Sequence, residues 1–334
     1  MPVTTTFQRI TLIATVLALG VVVLGAYVRL SDAGLGCPDW PGCYGRLGVP
    51  ESEGHIEQAN AAYPERPVEV GKAWKEMIHR YFAGILGVLI LALAVMAWKR
   101  RHEPEQPVVL PLFLLALVIF QALLGMWTVT LLLKPVVVMA HLLGGLTTLA
   151  LLWWLVLRQN LPPSTTLDTH GLKIWALLGL LIVVCQAALG GWTSTNYAAL
   201  ACPDFPTCQT YWWPPMDFKE AFVLWRGLGI SYEGGVLDND ARVTIHMVHR
   251  LGAVVVLFFI GWLIHKVISI RNQPVLRQTG IAIALLLALQ ISLGIANVVL
   301  TLPLPVAVAH NAGAALLILA LVTLNHLVNP RKTV

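Results

Sequence analysis

Charge is what this sequence has least of. Asp, Glu, Lys and Arg together make up 12% of its 334 residues, against about a quarter in an ordinary soluble domain. A water-soluble core of this size needs a charged skin, and too few charges exist to make one. The acids are the rarer sign, 17 against 22 basic residues, for a formal net charge of +5. Membrane topology accounts for that small excess, which calls for no nucleic-acid partner. Cysteine is scarce as well, at five residues. None stands in a C-x-x-C-H arrangement, which excludes covalent thioether attachment of a haem.

Apolar residues are abundant, at 57%. Eight runs, near 8–30, 77–98, 108–133, 136–157, 172–195, 244–266, 277–301 and 304–328, reach the roughly 20 residues a spanning helix needs. The expected fold class is an all-α polytopic membrane protein. The first run exceeds a signal-peptide core and lacks a clear small-residue cleavage site, so it is expected to remain as a helix. Pro135 splits the third and fourth runs, and Pro303 with Pro305 the last two, which predicts two tight hairpins on one side. Long connections follow the first and fifth runs. The opposite side carries Arg9, Lys99, Arg100, Arg101, Arg158, Lys173, Lys266, Arg271, Arg277, Arg331 and Lys332 in short segments, with Glu103, Glu105 and Asp168 as its only acids. Basic residues near span ends stay in the cytoplasm, so both termini are expected there and the long loops outside.

Cys37 and Cys43 lie in the first long loop, Cys202 and Cys208 in the second, and Cys185 inside the fifth run. Two pairs at one spacing on the oxidising side read as two loop-closing disulfides. A shared metal site is the alternative, although only His55 could add a loop histidine. Cys185 reads as packing.

The chain also repeats itself. Cys37-Pro-Asp-Trp-Pro-Gly-Cys43 returns as Cys202-Pro-Asp-Phe-Pro-Thr-Cys208, and His79-Arg80 as His249-Arg250. Gln121-Ala-Leu-Leu-Gly125 returns as Gln290-Ile-Ser-Leu-Gly294, with a related Gln186-Ala-Ala-Leu-Gly190, and Met139-Ala-His141 is answered by Val308-Ala-His310. The matches are collinear. They predict two tandem four-helix bundles, residues 1–160 and 161–334, related by a pseudo-two-fold axis along the membrane normal.

Ionisable residues within spans are costly and point to function. His79, His141, His249 and His310 each lie about five to seven residues beyond the outer start of their run, roughly 8–10 Å deep at 1.5 Å per residue. Two histidines from different helices at one level in each half are what the axial ligands of a haem require. One such histidine alone would read as interhelical glue; four at matching depth favour ligation. His55, His102, His170, His265 and His326 fall in loops or near helix ends and read as solvated or interfacial. His246 stands one turn before His249 and could support it.

Arg80 and Arg250 follow their histidines directly. They could pair with haem propionates or snorkel to the interface. Arg29 is a weaker propionate candidate, because its counterpart is Ser194. Glu76 breaks the symmetry: Glu76-Met-Ile-His79-Arg80 aligns with His246-Met-Val-His249-Arg250. The i, i+3 spacing places Glu76 beside whatever His79 binds. A first-turn acid favoured by the helix dipole is the plainer reading, but beside a histidine pair a carboxylate can steady positive charge or take a proton.

The run Val28-Arg-Leu-Ser-Asp-Ala-Gly-Leu-Gly-Cys-Pro-Asp-Trp-Pro-Gly-Cys43, with Glu76-x-x-His79-Arg80 and the paired histidines, resembles the haem A synthase family over nearly the whole chain. Asp32 stands where a glycine is expected. The resemblance implies an enzyme of the bacterial inner membrane that oxidises a ring methyl of haem O to the formyl group of haem A. It implies haem b as cofactor, held by His249 and His310, and a substrate haem between His79 and His141. Glu76 resembles the functional carboxylate of the family. The implied mechanism is two hydroxylations with oxygen from water, then dehydration of the diol. Haem O synthase is the expected transient donor of substrate, and an unidentified acceptor takes the electrons. A di-haem b-type electron-transfer cytochrome would explain the four histidines but not Glu76. A haem exporter would leave the duplicated, disulfide-braced halves without purpose.

Overall fold

The computed structural model describes residues 6–103, 106–161, 170–270 and 273–329. Of the residues used above, Glu105, Asp168, Arg271, Arg331, Lys332 and the side chain of His170 lie outside that description. Its ten helices are α1 (Thr6–Leu30), α2 (Glu53–Ala62), α3 (Val70–Lys99), α4 (Val109–Thr130), α5 (Pro135–Asn160), α6 (His170–Thr195), α7 (Phe218–Ala221), α8 (Asn239–Ile268), α9 (Pro274–Val299) and α10 (Leu304–Leu327). All but α2 and α7 are long and apolar enough to cross a membrane. The described residues are all-helical, with eight helices able to span, as the hydropathy predicts.

The helices close into two rings. α1 packs on α3, α3 on α4, α4 on α5 and α5 back on α1. In the same way α6 packs on α8, α8 on α9, α9 on α10 and α10 on α6. Among the described residues, the helix contacts between the rings are made by α1, α5, α6 and α10. Leu146, Leu149, Leu152 and Leu155 of α5 and Ile318, Leu321 and Leu324 of α10 are buried in one continuous core.

Both hairpins turn alike. Leu132 and Leu133 adopt positive φ before Pro135, as do Thr301 and Leu302 before Pro303. The Leu133 N–H returns to the Thr128 carbonyl at 2.8 Å and the Leu302 N–H to Asn297 at 2.7 Å, satisfying carbonyls that a helix end leaves open. Asp32, standing in place of the expected glycine, has φ +49°. That left-handed conformation is one aspartate tolerates better than most residues.

Two expectations are corrected. Hydropathy starts the second and sixth spans at 77 and 244, but α3 begins at Val70 and α8 at Asn239. The extra turns are polar in composition, yet they bury one face under the loops. Ala73 and Met77 pack on Cys37, Cys43 and Tyr44, and Val243 and Met247 on Cys202 and Cys208. Burial by a loop extends a helix beyond what an apolar window detects. His326 is also not interfacial: it is buried, its Nε2 lies 2.7 Å from the Leu161 carbonyl, and its ring meets Trp154 edge-on. The end of α10 lies against α5, so the last turn of α10 belongs to the contact between rings.

Candidate functional site

The four intramembrane histidines share one construction. A Cβ built on Gly25 of α1 would lie 3.0 Å from Cε1 of His79 on α3. On Gly125 of α4 it would lie 3.4 Å from Cε1 of His141 on α5, on Gly190 of α6 3.1 Å from His249 on α8, and on Gly294 of α9 3.2 Å from His310 on α10. Each glycine lets the Cε1 edge of an imidazole come close to the neighbouring backbone, an approach that a side chain would crowd.

Each glycine also precedes the last residue of its helix by five positions: Gly25 and Leu30, Gly125 and Thr130, Gly190 and Thr195, Gly294 and Val299. At 1.5 Å per residue the four rings lie about 7–8 Å below the loop-side helix ends. The common level is therefore real, but it is measured from the facing helices. Counted from their own starts the histidines differ, because α3 and α8 begin farther out. His79 and His141 belong to one ring of helices, and His249 and His310 to the other. Nδ1 of His79, His141 and His310 is buried without a hydrogen-bond partner, although the rings as a whole are only half-buried. Two imidazoles at one level in each ring of helices, with nitrogens free of partners and faces not fully buried, fit the axial ligation of a haem. Among the described residues no three His, Cys, Asp or Glu side chains gather as a separate metal site.

Above this level sit two disulfide loops, Cys37–Cys43 and Cys202–Cys208. The motif aspartate closes each turn. Asp39 accepts from the N–H groups of Tyr44 at 2.6 Å and Gly45 at 2.7 Å, and Asp204 from Gln209 at 2.6 Å and Thr210 at 3.0 Å. Asp204 also accepts from the Thr207 hydroxyl, and these bonds, the hydroxyl first, hold its carboxyl below the usual range. Free Cys185 is exposed on α6.

The two arginines take a role that neither sequence reading anticipated. Arg80 donates to the carbonyls of Asp39 at 2.9 Å, Pro41 at 3.3 Å and Gly42 at 2.5 Å. Arg250 donates to Thr207 at 2.8 Å, Cys202 at 3.2 Å and Asp204 at 2.8 Å. They bind the loops to the helices that carry His79 and His249. Glu76 joins the first of these clamps. It is buried, its Oε2 accepts from the Cys37 N–H at 2.9 Å, and its Oε1 pairs with Arg80. Its counterpart His246 places Nδ1 3.1 Å from the Ala198 carbonyl, so it too faces loop backbone.

Arg29 reaches across the rings to its own counterpart, donating to the Ser194 carbonyl at 2.7 Å and lying over Tyr197. Lys134 is a residue that sequence reasoning misses. It is buried at the α4–α5 hairpin, donates to the Gly227 carbonyl at 2.7 Å and lies 3.3 Å from the Trp225 ring centroid. A lysine directly before a proline that starts a span reads as an interfacial anchor, and only the loop at 196–238 folding over it reveals otherwise. The glutamines of the Gln-x-x-Leu-Gly segments were visible as landmarks of repetition; their contacts with the histidines were not.

Residues 8–322 match the model of the COX15-CtaA family, described as cytochrome oxidase assembly protein. A protein of Shewanella oneidensis named haem A synthase is 47% identical over 320 residues, 95% of this chain and 94% of its own. Proteins of the same name from Geobacillus kaustophilus, 29% identical over 79% of this chain and 73% of theirs, and Beijerinckia indica, 28% identical over 72% and 70%, are also similar. With the match running from α1 into α10, the chain belongs to the COX15-CtaA family of cytochrome oxidase assembly proteins.

Proposed function

We propose that this chain is a haem A synthase, an oxidoreductase that converts a ring methyl of haem O into the formyl group of haem A. The observation that carries this reading is the matched seating of four imidazoles, two in each ring of helices, with a buried carboxylate, Glu76, one turn before His79 where the second ring has His246. His79 and His141 hold the substrate haem; His249 and His310 hold haem b. Haem b supplies one-electron relay chemistry when bound. Each hydroxylation takes its oxygen from water and releases two electrons and two protons, and loss of water from the diol leaves the aldehyde. The electrons go to an acceptor outside the chain.

Glu76 is the group that sets the first site apart. Its carboxylate lies one turn above His79, placed by Arg80 and the Cys37 N–H. There it steadies positive charge developing at the oxidised carbon or takes up a released proton. Arg80 and Arg250 fix the loops over the two sites, and the buried Nε of Arg250 remains free of partners for a propionate at the second. The two rings are the two tandem bundles of a duplicated chain. The termini lie in the cytoplasm and the loops outside, in a bacterial inner membrane. This is supported by the basic short segments on one side and the disulfides on the other. Haem O synthase is the transient donor of the substrate.

A pyridine haemochrome spectrum with chromatography of extracted haems tests the reading. The purified protein is expected to carry haem b with less than one equivalent of haem O or haem A. Two equivalents of haem b, with neither of the others, would overturn it in favour of an electron-transfer cytochrome.

A further inference from the structure

Two of the four histidines stand beside a glutamine amide, a third has a glutamine in the same register, and His79 has neither. Nε2 of Gln186 lies 3.1 Å from Nδ1 of His249 and donates to the His249 carbonyl at 2.9 Å. Nε2 of Gln290 lies 3.2 Å from Nε2 of His310. Each amide fits because the residue three positions after the histidine is glycine: a Cβ on Gly252 or Gly313 would overlap the Gln186 or Gln290 amide. Gln121 lies against Gly144 in the same register, but with its Nε2 turned toward that glycine and buried without a partner. At His79 both parts of the arrangement are replaced together. Val21 stands four residues before Gly25, where the other helices have glutamine, and Phe82 stands three after the histidine, where they have glycine. Among the described residues no group hydrogen-bonds the His79 ring.

A ligating imidazole presents one nitrogen to the metal, and a partner on the other fixes its orientation. Oε1 of Gln186 and Oε1 of Gln290 are both buried without partners. By turning the amide, each glutamine can offer that oxygen to the N–H of a metal-bound ring. We propose that Gln186 and Gln290 are positioning residues that lock His249 and His310 for a retained haem. His79, with Val21 and Phe82 in place of the clasp, is the ligand that lets go when the other haem exchanges. The proposal rests on the haem-binding reading above and adds what makes one pair permanent and the other exchangeable.

The test uses the full-length protein in detergent. Gln186→Leu and Gln290→Leu keep an apolar side chain of similar size. They are expected to release haem b to excess apomyoglobin about 10–100-fold faster, the usual effect of losing an outer-shell partner. They should also move the low-spin electron paramagnetic resonance signals, which report ring orientation and which a purely packing role would leave in place. Elution volume and intact disulfides verify folding. Val21→Gln combined with Phe82→Gly installs a clasp at His79, and this variant is expected to retain substrate or product haem through purification. Release rates and signals indistinguishable from wild type in both leucine variants, or no added retention in the double variant, would overturn the proposal. His249→Met and His310→Met, measured beside them, test the underlying ligand assignment separately, since loss of haem b there is independent of the glutamines.

Discussion

Replacing Glu76 with glutamine separates its two roles. Its oxygens accept from different donors, Cys37 N–H and the Arg80 guanidinium. An amide has one acceptor oxygen, so Glu76→Gln can keep one of these bonds but not both. The pair is well enclosed, with side-chain exposures of 12% for Arg80 and 7% for Glu76, so solvent screening does not erase the loss. One charge-assisted hydrogen bond is worth about 1.5–3 kcal/mol. The damage stays near the lower end because Arg80 keeps its carbonyls of Asp39, Pro41 and Gly42. The protein should therefore fold, keep both disulfides and hold haem b in the second ring. Removing charge stabilisation from a reacting centre, by contrast, commonly slows it by about 10²–10³-fold. Cells relying on Glu76→Gln should accumulate haem O or its hydroxylated intermediate and make little haem A, measured by reverse-phase chromatography of extracted haems. His246→Gln, which can still donate to the Ala198 carbonyl, should leave product formation mostly intact. Wild-type haem A formation in Glu76→Gln would refute the catalytic role and leave Glu76 as a clamp for the loop.

The ligand assignments predict that His249→Met and His310→Met lower or abolish haem b while the chain still inserts; an unchanged absorption spectrum in both would contradict them. Alkylation followed by mass mapping should find Cys185 as the only free thiol, with Cys37 linked to Cys43 and Cys202 to Cys208; a Cys37–Cys202 link would contradict the loop structure. Lys134→Met removes the charged anchor between the α4–α5 hairpin and the backbone at Gly227, so proteolysis within 196–238 should accelerate with little change in the first loop. The depressed carboxyl of Asp204 stabilises the second loop above the ordinary aspartate range. That contribution is lost as pH falls through its lowered value, so hydrogen exchange at Gln209 and Thr210 should rise only in strong acid, and Asp204→Asn should raise it already at neutral pH.

The spans were legible because lipid demands long apolar helices, and the histidines because an ionisable group in lipid needs a reason. What stayed hidden was made by contact with backbone. Arg80 and Arg250 satisfy carbonyls of the disulfide turns, and a carbonyl has no letter in the sequence. The first turns of α3 and α8 look polar because their buried face meets loops, not lipid. Depth was judged from the starts of those helices, when the useful ruler was the distance from Gly25, Gly125, Gly190 and Gly294 to the helix ends. The glutamines were in plain view in every Gln-x-x-Leu-Gly segment. Their meaning lies in the contacts of Gln186 with His249 and of Gln290 with His310, which only the packing of neighbouring helices creates.

The way the rings join has a mechanical consequence. Each histidine pair has one member on a peripheral helix, α3 or α8, and one on a helix at the seam, α5 or α10. Among the spans, α3 leans only on α1 and α4, whereas α5 is wedged among α1, α4, α6 and α10. Through Arg80 and Glu76, α3 also carries its own disulfide loop as a rigid hood, tied to the far loop by the partly exposed Arg66–Glu233 ion pair at 3.2 Å. The first histidine pair therefore has one buttressed wall, α5, and one lightly supported wall, α3, whose hood is stayed at its far edge by the Arg66–Glu233 ion pair.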